Sequence, residues 1–126
     1  MILFLRDRLG SFKPAFAGIG HVFRSQPNAW IHAVVSLAVL GAGLWVQLSG
    51  GSWALILLAM ALVWITEFLN TALEAVVDLA SPAHSKLAQV AKDVSAAAVV
   101  IAAAAAVIVG LLILGPPVWA RAVGLF

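Results

Sequence analysis

The sequence predicts an all-α membrane protein: an N-terminal amphipathic helix on the membrane surface, followed by three transmembrane helices in a bundle. Three observations carry this. Hydrophobic residues make up 64% of the 126 residues, charged residues only 10%, and the mean hydropathy is +1.13. A water-soluble domain carries about 25% charged residues, so the lipid bilayer is the solvent to reason with. Residues 30–48, 53–79 and 94–114 each contain an apolar run close to the ~20 residues a span requires. Residues 1–26 instead repeat Leu5, Leu9, Phe12, Phe16, Ile19 and Phe23 at every third or fourth position, with Arg6, Arg8, Lys13 and Arg24 between them. That is the pattern of a helix lying in the interface. The length, residues 1–126, predicts one domain.

"SQPN" at 25–28 ends the surface helix, because Pro27 cannot continue it and Asn28 suits the start of the next. The connection "SGGS" at 49–52 carries no charge, whereas residues 79–93 carry Lys86 and Lys92. The positive-inside rule then puts the N-terminal segment and the 79–93 loop in the cytoplasm, and "SGGS" and the tail with Arg121 outside. Trp30, Trp45, Trp53 and Trp119 fall near span ends, where aromatic belts form; Trp64 falls inside the second span. The third span is rich in alanine, and small residues let membrane helices approach closely. "MILFLRDRLG" has too short an apolar stretch for a secretory signal, so the spans are expected to act as their own targeting signal. The formal charge of +2 is small and there is no basic stripe interleaved with aromatics, which excludes nucleic acid as a partner. The lack of cysteine excludes disulfides, thiolate metal sites and cysteine nucleophiles.

The second predicted helix ends in "TEFLNTALEAVVD", residues 66–78, which holds three of the five acidic residues of the chain. At 100° per residue, Glu67, Asn70, Thr71, Glu74 and Asp78 lie within an arc of about 100°. The opposite side is Phe68, Leu69, Leu73, Val76, Val77 and Leu79. A charged side chain deep in a span costs about 2.5–3.5 kcal/mol. Glu74 and Asp78 can reach the interface; Glu67 lies about two turns deeper and must be paired, bound to a cation or neutralised by a proton. A polar seam joining subunits is the structural alternative to a site at the membrane surface.

Lys92 and Asp93, just before the third predicted span, return to the same surface. A lysine neutralises phosphate charge, and a carboxylate binds Mg²⁺ or orients the lysine. Oxygen ligands without thiolates favour Mg²⁺ over zinc or copper. The chemistry implied is therefore that of polyphosphates at a membrane surface. A deeper carboxylate would take a proton from a lipid hydroxyl, a shallower one would hold Mg²⁺ on a nucleotide, and a lysine would stabilise the phosphoryl group in flight. No Gly-rich phosphate loop or kinase catalytic-loop motif is present, so a soluble nucleotide-binding fold is excluded.

"EFLNTALEAVVDL" followed by "AKDVSAAAV" closely resembles the small prokaryotic integral-membrane diacylglycerol kinase family, which includes undecaprenol kinases. "SFKPAFAGIGHVFRSQPNAWIHA" resembles that family's N-terminal segment, and the likeness runs from about Ser11 to Leu112. The resemblance implies a homotrimer in the bacterial inner or plasma membrane, with active sites shared between subunits at the cytoplasmic face. It implies transfer of the γ-phosphoryl group from MgATP to a lipid alcohol, undecaprenol or diacylglycerol. The stretch "RSQPNAWIH" resembles the undecaprenol branch. Carried over by position, Glu67 would be the general base, and Asn70 would hold the acceptor end or the catalytic carboxylate. Glu74 would bind the metal–nucleotide complex. Lys92 and Asp93 would contact the nucleotide phosphates and support the metal, and Asp78 would stabilise the site from just outside it.

This chain departs from the family pattern in two places. Gln26 stands where the family has a second metal-binding carboxylate; its amide oxygen can ligate Mg²⁺ and join nucleotide binding, without charge. The loop reads "SPAHSKL", with His84 one position from the family's histidine. His32, at the start of the first span, reads as an interface histidine bonded to a carbonyl rather than as a chemical group. His21, Lys13 and Arg24 read as headgroup contacts, Arg24 being near enough to Gln26 to touch a phosphate. Two other readings remain open from sequence: a cation- or proton-conducting oligomer using the same stripe, which has no need of Lys92 and Asp93, and a kinase degenerate at Gln26 and the loop.

Overall fold

A computed structural model describes residues 12–81 and 85–124; the predicted surface-helix residues 1–11 and His84 lie outside the described residues. Among the described residues four helices follow one another: α1 (Phe12–Ser25), α2 (Pro27–Trp45), α3 (Gly50–Ala80) and α4 (Lys86–Ala122). Among the described residues there is no strand. Helices α2, α3 and α4 are each long and apolar enough to cross a membrane.

The break between α1 and α2 is one residue wide. Gln26 has extended backbone angles (φ −116°, ψ 106°) and Pro27 begins the next helix. Proline suits that first position because its missing N–H would have no helical partner there. The start is thus one residue earlier than Asn28, which falls within the first turn. Trp30 donates its indole N–H to the Phe23 carbonyl at 3.0 Å. Phe23 also stacks against Trp30 and Trp64, with ring centroids 5.1 and 5.6 Å apart. Val22 and Ala29 are buried beside this joint. These contacts lock α1 against the start of α2 and the middle of α3, and so set where Gln26 points.

At the opposite end, Val46–Ser49 connects α2 to α3. "SGGS" is therefore mostly the first turn of α3 rather than a loop. Ser49 caps that helix, its hydroxyl accepting from the Ser52 N–H at 3.3 Å. Gln47 takes a positive φ of 56° to make the turn. Gly43 is required by packing: a Cβ there would lie 2.8 Å from Trp53. Ser85 caps α4 in the same way, accepting from the Ala88 N–H at 3.2 Å.

The helices outrun the apolar stretches. At 1.5 Å per residue, a 19-residue helix such as α2 is about 29 Å long, matching a ~30 Å hydrocarbon core. The 31-residue α3 and 37-residue α4 are about 47 and 56 Å. Hydropathy detects only the part in contact with lipid, whereas backbone hydrogen bonding carries a helix onward through charged residues. Lys92 and Asp93 accordingly sit inside α4, not in a loop ahead of it. The helix also runs past Leu114 through Pro116 and Pro117 to Ala122; membrane helices tolerate internal proline where local adjustments satisfy the freed carbonyls.

The pairing of α3 with α4 is the main tertiary contact, and α2 touches each of them. Most large apolar side chains face outward, Leu37, Leu58, Val76 and Leu112 among them. That arrangement would be costly in water but not in lipid, where tails are as apolar as leucine. What α3 buries instead is polar: Glu67, Asn70 and Thr71, on the same face as Ile56 and Val63.

Candidate active site

The chain direction brings the C-terminal end of α3, the N-terminal end of α4 and the α1–α2 joint to one end of the bundle. The polar stripe of α3 points inward there. Glu67 is 1% exposed. Its backbone carbonyl accepts from Thr71 Oγ1 at 2.9 Å. Its carboxylate Oε2 lies 3.5 Å from His32 Nε2 on α2. The His32 ring stands edge-on to Trp64 at 6.1 Å, and Trp64 donates in turn to Ser36 Oγ at 3.2 Å.

Seven residues further along α3, about 10 Å of helix, Glu74 is gripped by two amides. Gln26 Nε2 donates to its Oε2 at 2.9 Å, and Asn70 Nδ2 donates to its Oε1 at 3.1 Å. Asn70 therefore serves Glu74 rather than Glu67. Ser95 on α4 completes the chain, donating from Oγ to Asn70 Oδ1 at 2.6 Å. The Lys92 carbonyl competes for the same hydroxyl hydrogen at 2.9 Å, since a hydroxyl has one proton to give. With Oδ1 turned to Ser95, the Asn70 amide is oriented to donate to Glu74. One network thus joins α4, α3 and the α1–α2 joint.

Lys92 forms an ion pair with Asp78 across the α4–α3 contact. The two side chains are 29% and 60% exposed, so the pair is worth at most about 1 kcal/mol and exchanges readily for another anion. Asp93 stands apart: it is exposed and accepts from Gln89 Nε2 at 2.8 Å. Of the residues singled out in the sequence, the structure joins Gln26, Asn70 and Glu74 directly, sets Lys92 against Asp78, encloses Glu67 deeper on the same face, and leaves Asp93 outside. His21 and Arg24 are exposed on α1.

Two contacts at the site are not legible in the sequence, those of Ser95 with Asn70 and of His32 with Glu67. Ser95 follows Lys92 by one helical turn, a position from which a hydroxyl can face α3. His32, read as an interface histidine, is the basic side chain nearest the deepest carboxylate.

Among the described residues, no three acidic or histidine side chains converge on a metal position. With Asn70 Oδ1 taken by Ser95, the oxygen donors left at Glu74 are its own carboxylate and the Gln26 amide oxygen. That is too little for a resident ion. It suits Mg²⁺ carried on a nucleotide, which binds through one or two carboxylates and otherwise keeps phosphate oxygens and water.

Three membrane-length helices, one of them burying a carboxylate on its inward face, define a small integral-membrane protein. Residues 13–114 match the prokaryotic diacylglycerol kinase family. The chain is 45% identical over 116 residues to a diacylglycerol kinase of Synechocystis sp., an alignment covering 91% of this chain and 66% of that one. It is 42% identical over 106 residues to the undecaprenol kinase of Bacillus subtilis, covering 84% and 86%. The chain thus spans just under two thirds of the Synechocystis protein and most of the Bacillus one. It belongs to the prokaryotic diacylglycerol kinase family, a family of membrane lipid kinases.

Proposed function

We propose that this protein is an ATP- and Mg²⁺-dependent lipid kinase that phosphorylates a membrane lipid alcohol at the cytoplasmic face of the bacterial plasma membrane. The observation that carries the reading is the division of the α3 stripe: one carboxylate enclosed at 1% exposure, and another near the surface clasped by Gln26 and Asn70. Two carboxylates in different surroundings suit two tasks. Glu67 takes the proton of the lipid hydroxyl. Glu74 would hold the nucleotide's metal ion, and the Gln26 amide oxygen would join it. Lys92 leaves Asp78 for the phosphates. The lipid oxygen forms its bond to the γ-phosphorus as the bond from that phosphorus to the β–γ bridging oxygen breaks; ADP departs and the hydroxyl proton passes to Glu67. Positioning and charge stabilisation suffice for this transfer.

An apolar cavity of about 570 Å³ between α2, α3 and α4 supports a lipid acceptor. It runs from His32 past Val63, Ala106 and Gly110 to Val118, so a tail lying in it would carry its hydroxyl to Glu67. Of the acceptors named for the relatives, we take undecaprenol as the substrate of this chain, because "RSQPNAWIH" resembles that branch and the Bacillus protein is matched over most of its length. Arg24, Lys86 and Lys92 lie on the helix ends that meet at the site, against Arg121 at the other end of α4, which supports a cytoplasmic site. The homotrimer and the shared site belong to the same reading, with exposed Asp93 facing the nucleotide of a neighbouring subunit. The test is stoichiometry: in mixed micelles, ADP release and undecaprenyl phosphate formation should rise together, one for one. ADP release without lipid phosphate would sink the proposal.

A further inference from the structure

We infer that His32 is a positioning residue for Glu67, donating a ring N–H to its carboxylate and so holding the base towards the acceptor hydroxyl. The inference rests on the lipid-kinase reading above. His32 Nε2 is buried and, among the described residues, is the one buried side-chain nitrogen or oxygen without a hydrogen-bond partner. An unmet buried polar group is destabilising, so such an atom needs a reason. It lies 3.5 Å from Glu67 Oε2, roughly half an ångström beyond an ordinary N–H···O bond. Catalytic hydrogen bonds are commonly long before substrate binds and tighten in the complex.

The surroundings aim the ring. Trp64 meets it edge-on, Trp64 is itself tied to Ser36 on the same helix as His32, and Phe23 and Phe68 flank the indole. Nothing else basic among the described residues pairs with Glu67; Lys92 is occupied by Asp78. His32 also lines the apolar cavity. It therefore stands where a lipid hydroxyl arriving through that cavity would meet the base. A donor on Oε2 would leave Oε1 free to accept the proton.

Steady-state kinetics of the purified full chain with undecaprenol test this, using Glu67→Gln as the blank. His32→Gln keeps an N–H donor without a titrating ring; His32→Leu keeps bulk without a donor. Loss of a group that orients a general base falls at the lower end of general-base effects, about 10²-fold. His32→Leu should therefore lose about 10²-fold in kcat, with KM for MgATP within about twofold of wild type, and His32→Gln should recover most of the loss. Should His32→Leu fail to fold, His32→Met takes its place under the same criterion. Wild-type kcat in the apolar variant overturns the inference while leaving the kinase reading intact, and so does an equal loss in the Gln variant. A wild-type protein without transfer, or an active Glu67→Gln, overturns both.

Discussion

Glu67 and Glu74 share a helix face but sit in different surroundings, and on the proposed mechanism substitution should separate them. Glu67→Gln should abolish lipid phosphorylation, a loss on the order of 10²–10⁴-fold, while MgATP binding measured by calorimetry stays as in wild type. Glu74→Gln should weaken MgATP binding itself. Equal losses of nucleotide affinity would contradict the division. Gln26 gives a third variant. Gln26→Glu would set two carboxylates against each other where the amide now donates at 2.9 Å. Like charges in contact repel unless a cation lies between them. The variant should melt earlier in EDTA, recover with Mg²⁺, and show a steeper Mg²⁺ dependence of activity. An unchanged Mg²⁺ requirement would remove Gln26 from the metal site. The stripe itself was legible in the sequence because helical periodicity places residues 67, 70, 71 and 74 on one face whatever the fold. Ser95 and His32 were not, because their roles depend on how α4 and α2 are rotated against α3, and neither rotation is written in the local pattern.

At the scale of elements, the spans were readable from hydropathy and their ends were not. Residues 86–93 and 115–122 lie beyond the third apolar run predicted, so their polarity suggested loop and tail; in the structure they continue α4. The same extension carries Lys92 of α4 to a place opposite Asp78 of α3. The α2–α3 hairpin rests on a close approach at Gly43 that composition does not reveal. Gly43→Val would drive a side chain into Trp53 and Leu48. Overpacking of this kind costs about 1–3 kcal/mol. The variant should show a lower Tm in detergent, partly restored by Trp53→Leu. A Tm equal to wild type would mean that this contact does not fix the hairpin.

Among the described residues most large apolar side chains are exposed while Glu67, Asn70 and Thr71 are enclosed, an arrangement suited to lipid. If three copies share their sites, two inactive variants can rescue each other: mixed oligomers of Glu67→Gln and Asp93→Asn should regain part of the wild-type rate, and unmixed ones none. Mixtures as dead as their parents would place each site within one chain. The most direct test of the account is transfer of label from [γ-³²P]ATP, with Mg²⁺, to undecaprenol and to diacylglycerol in parallel mixed micelles, with Glu67→Gln as the blank. Label should enter undecaprenol and disappear in the variant. No label in either lipid, from folded and oligomeric protein, would contradict it and point to a family member that has lost its catalysis.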